Sequence, residues 1–175
     1  MAYSAKELRE KLADLSHKDL IDILVKTYKA SEDVRREVNH TLDGENFEAQ
    51  KLREIEALAK NIAWYSGADC KKILADYCKV CKDRKKRVEA HYIVINAILD
   101  GYDAQIVRSQ VLMAGSALFG KATEMLSADE ELWIKMLDQT DAIVEKFAKR
   151  RHELECCAQA MVYYRRARDT WQSER

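Results

Sequence analysis

Proline is absent from all 175 residues, and glycine occurs only five times. A sheet protein needs turn residues roughly every 8 to 12 positions, so sandwich and barrel folds are excluded and long helices are favoured. A dominant charge sign is also missing, because 30 basic residues balance 30 acidic ones. The field of the whole molecule therefore draws it to neither nucleic acid nor anionic lipid, and any such binding needs a local patch. No uncharged apolar run approaches the roughly 20 residues that span a bilayer, and the first ten residues lack the apolar segment of a secretory leader. A Gly-rich phosphate loop and a Ser-His-Asp arrangement are missing as well. The five cysteines are an odd number, which argues for a reducing compartment. The expectation is a soluble, cytoplasmic protein with no membrane partner.

What is present is 34% charged and 47% hydrophobic residues in a chain long enough to bury roughly 70% of its unfolded surface. The expected fold is all-α: a multi-helix bundle of antiparallel helices, with HEAT-like stacked helix pairs as one form of it. A single domain over residues 1–175 is expected, with 151–175 free to project as a C-terminal helix. Residues 70–100 organise the rest. From His91 to Leu99 apolar side chains fall on every face, so this segment must be covered on all sides. Upstream, Leu74, Cys81, Val88 and Ile95 repeat every seven, the seam of one helix along another. That phase is held across Lys82, Asp83, Arg84, Lys85, Lys86 and Arg87, so the segment is either one long helix or two.

Around that stretch, Ser4 is placed to cap a first helix over 5–14, and Ser16 with Asp19 opens a second running to about residue 41. Asp43, Gly44, Glu45 and Asn46 read as a turn with Asn46 as the next N-cap. A third helix over 47–65 carries Leu52, Ile55, Leu58 and Ile62 on one face, and Gly67 is placed as its left-handed C-terminal residue. A helix over 104–125 turns Ile106, Val111, Ala114, Leu118 and Met125 inward, and Ala114, Gly115, Ser116 and Ala117 allow close approach of a neighbour. Ser127 is expected to cap the last segment, whose apolar stripe runs Trp133, Met136, Leu137, Val144, Phe147, Leu154, Ala158, Met161, Tyr164, Trp171. No glycine or proline interrupts the stripe, so it is one very long helix or two joined without a breaker.

Several groups carry possible chemistry. Cys78 and Cys81, with Cys70 upstream and His91 downstream, have residue types that ligate zinc. The pair lies inside a helical pattern with no second Cys-x-x-Cys, so buried hydrophobes are the favoured reading. His152 with Cys156 and Cys157 offers too few ligands for a site. Arg35 with His40 and Arg84 with His91 resemble the active-site motif of the helical HEPN ribonucleases, and general acid–base work on RNA suits a histidine near neutral pH. The alternative reading is charged helix surface. Lys82, Arg84, Lys85, Lys86 and Arg87 are the nucleic-acid-binding candidates, although Asp129, Glu130, Glu131, Asp138, Asp141 and Glu145 offer an acidic counterpart within the chain. At the C-terminal end, Tyr164, Arg165, Arg168 and Trp171 combine residue types favoured at binding hot spots. They either pack on the body of the chain or dock a partner.

The strings Lys6-Glu7-Leu8-Arg9-Glu10-Lys11-Leu12 and Leu15-Ser16-His17-Lys18-Asp19-Leu20-Ile21, on to Tyr28-Lys29, resemble the opening of a family of small all-helical bacterial proteins known only as a domain of unknown function. The resemblance extends through Cys70-Lys71-Lys72-Ile73-Leu74, Ala90-His91-Tyr92 and residues 119–147. It implies an all-helical fold and transfers no activity or site residue.

The sequence thus points to a non-enzymatic helical interaction protein that binds a protein partner or itself through a helix face. No catalytic residues, metal ligands or cofactors are assigned. The alternatives are a nucleic-acid-binding protein, in its sharpest form a HEPN-like metal-independent ribonuclease, and a zinc-stabilised helical domain.

Overall fold

The computed structural model describes residues 3–150 and 154–172, and the chain divides into two compact units, residues 1–47 and 48–175. The described residues form eight α-helices and one 3-10 turn, with no strand among them.

The first unit holds α1 (Ala5–Ala13), α2 (His17–Ala30) and the start of α3 (Glu32–Lys60). Ser4 and Glu7 close a reciprocal capping box: Ser4 Oγ accepts from the Glu7 amide, and the Glu7 carboxylate accepts from the Ser4 amide. Those bonds hold the Glu7 carboxyl below the usual range. Ser16 accepts from the Asp19 amide at 3.2 Å and starts α2. The helix expected from there to residue 41 instead stops at Ala30. Ser31 is extended (φ −129°, ψ 124°), and its Oγ accepts from the Val34 amide. Ser31 lies on the apolar stripe, so the periodicity reads straight through the break. The expected turn at 43–46 is a kink inside α3: Asp43 leaves helical geometry (φ −149°, ψ 48°) and Asn46 braces its carboxylate at 2.7 Å instead of capping a new helix.

The second unit contains the rest of α3, the 3-10 turn Ile62–Trp64, α4 (Gly67–Val80), α5 (Arg84–Asp103), α6 (Ser109–Ser127), α7 (Glu130–Ala148) and α8 (Glu155–Gln172). Residues 70–100 are therefore two helices. Cys81 is extended, and Asp83 Oδ1 accepts from the Lys86 amide at 3.0 Å as the N-cap of α5. The heptad positions Leu74, Cys81, Val88 and Ile95 are nonetheless all buried.

Side-chain pairs between α5 and α7 keep a near-constant sequence offset, from Tyr92 with Thr140 to Asp100 with Lys146 and Asp103 with Arg150, so these helices run the same way. Glu48 with Lys86 and Ile62 against Gly101 place the end of α3 beside α5 in the same sense. On the other side, Gly67 meets Ala114 and Gly120 meets Tyr163, which sets α4, α6 and α8 alongside one another. The unit is thus two layers, α3–α5–α7 and α4–α6–α8.

Between the layers α5 is buried on nearly every face, as its all-round apolar pattern requires. Phe119 of α6 and Phe147 of α7 meet there at 5.6 Å between ring centroids, both fully buried. Thr140 spends its one hydroxyl proton on Met136 O at 2.7 Å, so the Tyr92 hydroxyl is the donor in their 2.7 Å contact. Burial pushes the Tyr92 phenol up to about 12.

Four local expectations are corrected here. Gly67 opens α4 behind the cap Ser66 rather than ending α3 left-handed, and no glycine has positive φ among the described residues. Residues 104–108 form a loop in which Gln105 is left-handed (φ 60°), and the Ile106 and Val107 amides both donate to Gly101 O, which leaves Ile106 exposed. Asp129, not Ser127, caps α7 by accepting from the Leu132 amide, while Ser127 ends α6. The last segment is two helices, one of the two readings its sequence left open, and α8 packs on α6 and α7. Because the stripe is interrupted, its phase slips: Cys157 and Ala160 are buried and Ala158 is exposed.

Gly67 provides a test of the α4–α6 approach. A Cβ there would stand 2.6 Å from the Ala114 methyl, which is anchored directly on its backbone and cannot swing aside. Alanine in an open helical position gains up to about 1 kcal/mol over glycine; here the sign is expected to reverse. Gly67→Ala should lower unfolding free energy by about 1–3 kcal/mol in denaturant titration.

Candidate functional site

The first unit carries an unexplained apolar surface. No residue from 3 to 47 is buried, and α1 and α2 contribute none to any core. Along α2, Ile21, Leu24 and Val25 are 44–47% exposed, and Tyr28 continues the stripe one turn on. Leu8 and Leu15, seven apart on and just beyond α1, are exposed as well. Within the unit, α2 is held to α3 by the Tyr28 hydroxyl donating to Asn39 Oδ1 at 3.1 Å and by Arg35 donating to Lys29 O. Helices shorter than about 12–15 residues are marginal in water without packing, and α1 and α2 have 9 and 14 residues. Single exposed apolar residues need no explanation, but a helical stripe of them marks a surface made to be covered. From sequence this stripe reads as an ordinary helix seam.

A second candidate lies between α7 and α8, a groove of about 370 Å³. It gathers three of the four C-terminal residues singled out from sequence. Tyr164 stacks on Trp133 at 6.0 Å and donates to Asp141 Oδ1 at 2.6 Å, and burial, followed by that carboxylate, raises its phenol above the ordinary value. Arg168 and Trp171 line the same groove with Ile134 and Leu137, and Trp171 Nε1 is buried with no acceptor. Arg165 is exposed and is not part of the lining. Sequence reading missed Trp133, Ile134 and Asp141 as groove partners because they belong to α7.

The basic run is engaged mostly with the chain itself. Arg84 donates to Ala128 O at 3.2 Å and lies 3.6 Å from Asp129, a member of the expected acidic counterpart. Lys85 pairs with Glu89 at 3.5 Å, Lys86 with Glu48 at 2.9 Å, and Arg87 Nε donates to Cys81 O. Lys82 is exposed. Of the arginine–histidine pairs, Arg35 is bonded to Lys29 O, and His40 Nδ1 is buried without a partner. His91 is buried, with Nδ1 donating to Arg87 O at 2.8 Å.

None of the five cysteines is in a disulfide: Cys70, Cys81 and Cys157 are buried, and Cys78 and Cys156 are half-buried. Burial pushes the Cys70 thiol up to about 11. Among the described residues no three His, Cys, Asp or Glu side chains converge as a metal would need. His152 lies outside the described residues.

His91 carries a pH dependence. Burial, and then the nearby Lys121 charge, lower its pKa below the ordinary histidine value, against the bond to Arg87 O that raises it. The unfolded chain therefore binds the proton more readily than the folded one. Stability contributed by neutral His91 is present above about pH 6.5 and falls as the pH drops below it. Thermal melts at pH 7.5 and 5 should show a loss for the wild type that is smaller in His91→Gln.

Compared with protein-family models, curated proteins and solved structures, the chain matches none. Among the described residues, no helix is long and apolar enough to cross a membrane.

Proposed function

We propose that this chain is a cytoplasmic, non-enzymatic helical interaction protein that uses the α1–α2 face to bind an apolar helix face of a protein partner. The observation that carries this is the stripe Ile21, Leu24, Val25 and Tyr28 on helices that bury nothing of their own. A helix of this length and pattern gains its stability from a covered face, and recognition by i, i+3, i+4, i+7 anchors is a recurring mode between proteins.

The nucleic-acid alternative has less behind it. The run from Lys82 to Arg87 is largely committed to Asp129, Glu48, Glu89 and backbone carbonyls, and His91 is held by the carbonyl of Arg87 within its own helix.

Affinity purification of the full chain from its native host, with and without nuclease treatment, tests the reading. A stoichiometric protein partner, or a second copy of the chain, that survives nuclease is the expected result. Recovery of RNA or DNA with no nuclease-resistant protein would overturn it.

A further inference from the structure

A second kind of site lies in the second unit, in a groove of about 380 Å³ where α4, α5 and α6 meet. Its size falls within the range of small-molecule pockets. Leu74 and Leu118, both essentially fully buried, form the floor with half-buried Met125, and no Phe, Tyr or Trp lines it. Such a floor accepts a flexible aliphatic chain, and methionine adapts to its shape. Cys78 and His91 lie along one wall.

The rim is charged and lopsided. Lys79 is neutralised by Asp76 at 3.2 Å. Lys71 and Lys121 line the same groove, and among the described residues their ammonium groups have no ion-pair or hydrogen-bond partner. Burial raises the Cys78 thiol pKa against the charges of Arg87 and then Lys121, and Lys121 also disfavours a proton on His91. Glu124 is the one acid in the lining, so the two unpaired lysines leave a cationic excess beside an apolar slot.

We propose that this groove binds a medium-chain aliphatic carboxylate, with the hydrocarbon on Leu74, Leu118 and Met125 and the carboxylate between Lys71 and Lys121. A free inorganic anion would leave the apolar floor wet, and a neutral alcohol would leave both ammonium groups without a counter-charge. This site is independent of the α1–α2 face.

Isothermal titration of the full chain with sodium decanoate, below its micelle concentration, should give saturable binding with one site per chain. Decanol should bind at least tenfold more weakly, and so should decanoate to the Lys71→Gln/Lys121→Gln variant, whose exposed substitutions leave the core intact. Saturating decanoate should also slow N-ethylmaleimide alkylation of Cys78 severalfold, with Cys156 of the same chain unchanged as the internal reference. Three results would each overturn the proposal: no saturable heat, equal affinity for decanol or for the lysine variant, or equal protection of Cys78 and Cys156.

Discussion

Replacing Ile21 and Leu24 together by lysine should weaken partner binding at least thirtyfold while the fold stays intact. Both side chains are nearly half exposed in the isolated chain, so neither contributes a filled core position whose loss would leave a cavity. Lysine has about the same helix propensity as leucine, and surface substitutions of this kind change stability by no more than about 0.5 kcal/mol. In the bound state the same positions lie against an apolar surface, where a charge without a counter-ion is costly. Anchors of this sort lose 2 kcal/mol or more on truncation, which is roughly thirtyfold in Kd. The readout is a binding titration with the recovered partner, or sedimentation if the partner is a second copy, alongside a thermal melt. A drop in binding with an unchanged melt supports the α2 face. Unchanged binding places the contact elsewhere, with the α7–α8 groove next in line.

The largest stability effect should come from the other unit. Phe119 and Phe147 are fully buried and meet across the layers at 5.6 Å. Truncating a buried phenylalanine to alanine costs about 3–5 kcal/mol through lost transfer and the cavity left behind, with about 0.5–1.5 kcal/mol more from the ring pair. For a unit of this size that lowers Tm by roughly 10–20 °C. Phe119→Ala and Phe147→Ala should each do so, and the double variant should lose less than the sum because the two rings share one contact. A strictly additive pair would mean that the rings do not support each other. In both single variants the α2 stripe should keep its binding, since its residues belong to the first unit.

Helix class was legible because proline and turn residues were missing, and α5 was legible because an all-round apolar segment has only one stable environment. The breaks were harder. Ser31 sits on the apolar stripe, so a spacing argument runs through it, and only the extended backbone and the Val34 amide bonded to its Oγ reveal the cap. Cys81 kept its heptad phase although α4 ends there, because the seam belongs to the packing and not to one continuous helix. Gly67 was assigned to the wrong helix end because its function is spatial: it makes room for Ala114, 47 positions away, and no local pattern encodes that.

The candidate sites divide along the same line. Tyr164, Arg168 and Trp171 were recoverable from residue type and helical spacing, yet their groove needed Trp133 and Asp141 from the preceding helix. The basic run was visible as a charge cluster, but its partners Glu48 and Asp129 come from distant segments. The exposure of α2 could not be read locally at all. An amphipathic helix has the same sequence whether its apolar face is covered by its own chain or by another.

The central claim is that something covers Leu24 in the cell. Site-specific photo-cross-linking answers it most directly, with a benzophenone side chain at position 24 of the full chain in its native host and a control at Trp64, which is 87% exposed outside the proposed face. A discrete protein adduct from position 24, identified by mass spectrometry and absent when Ile21→Lys is added, is the predicted result. No adduct at position 24, or the same adducts from Trp64, would contradict it.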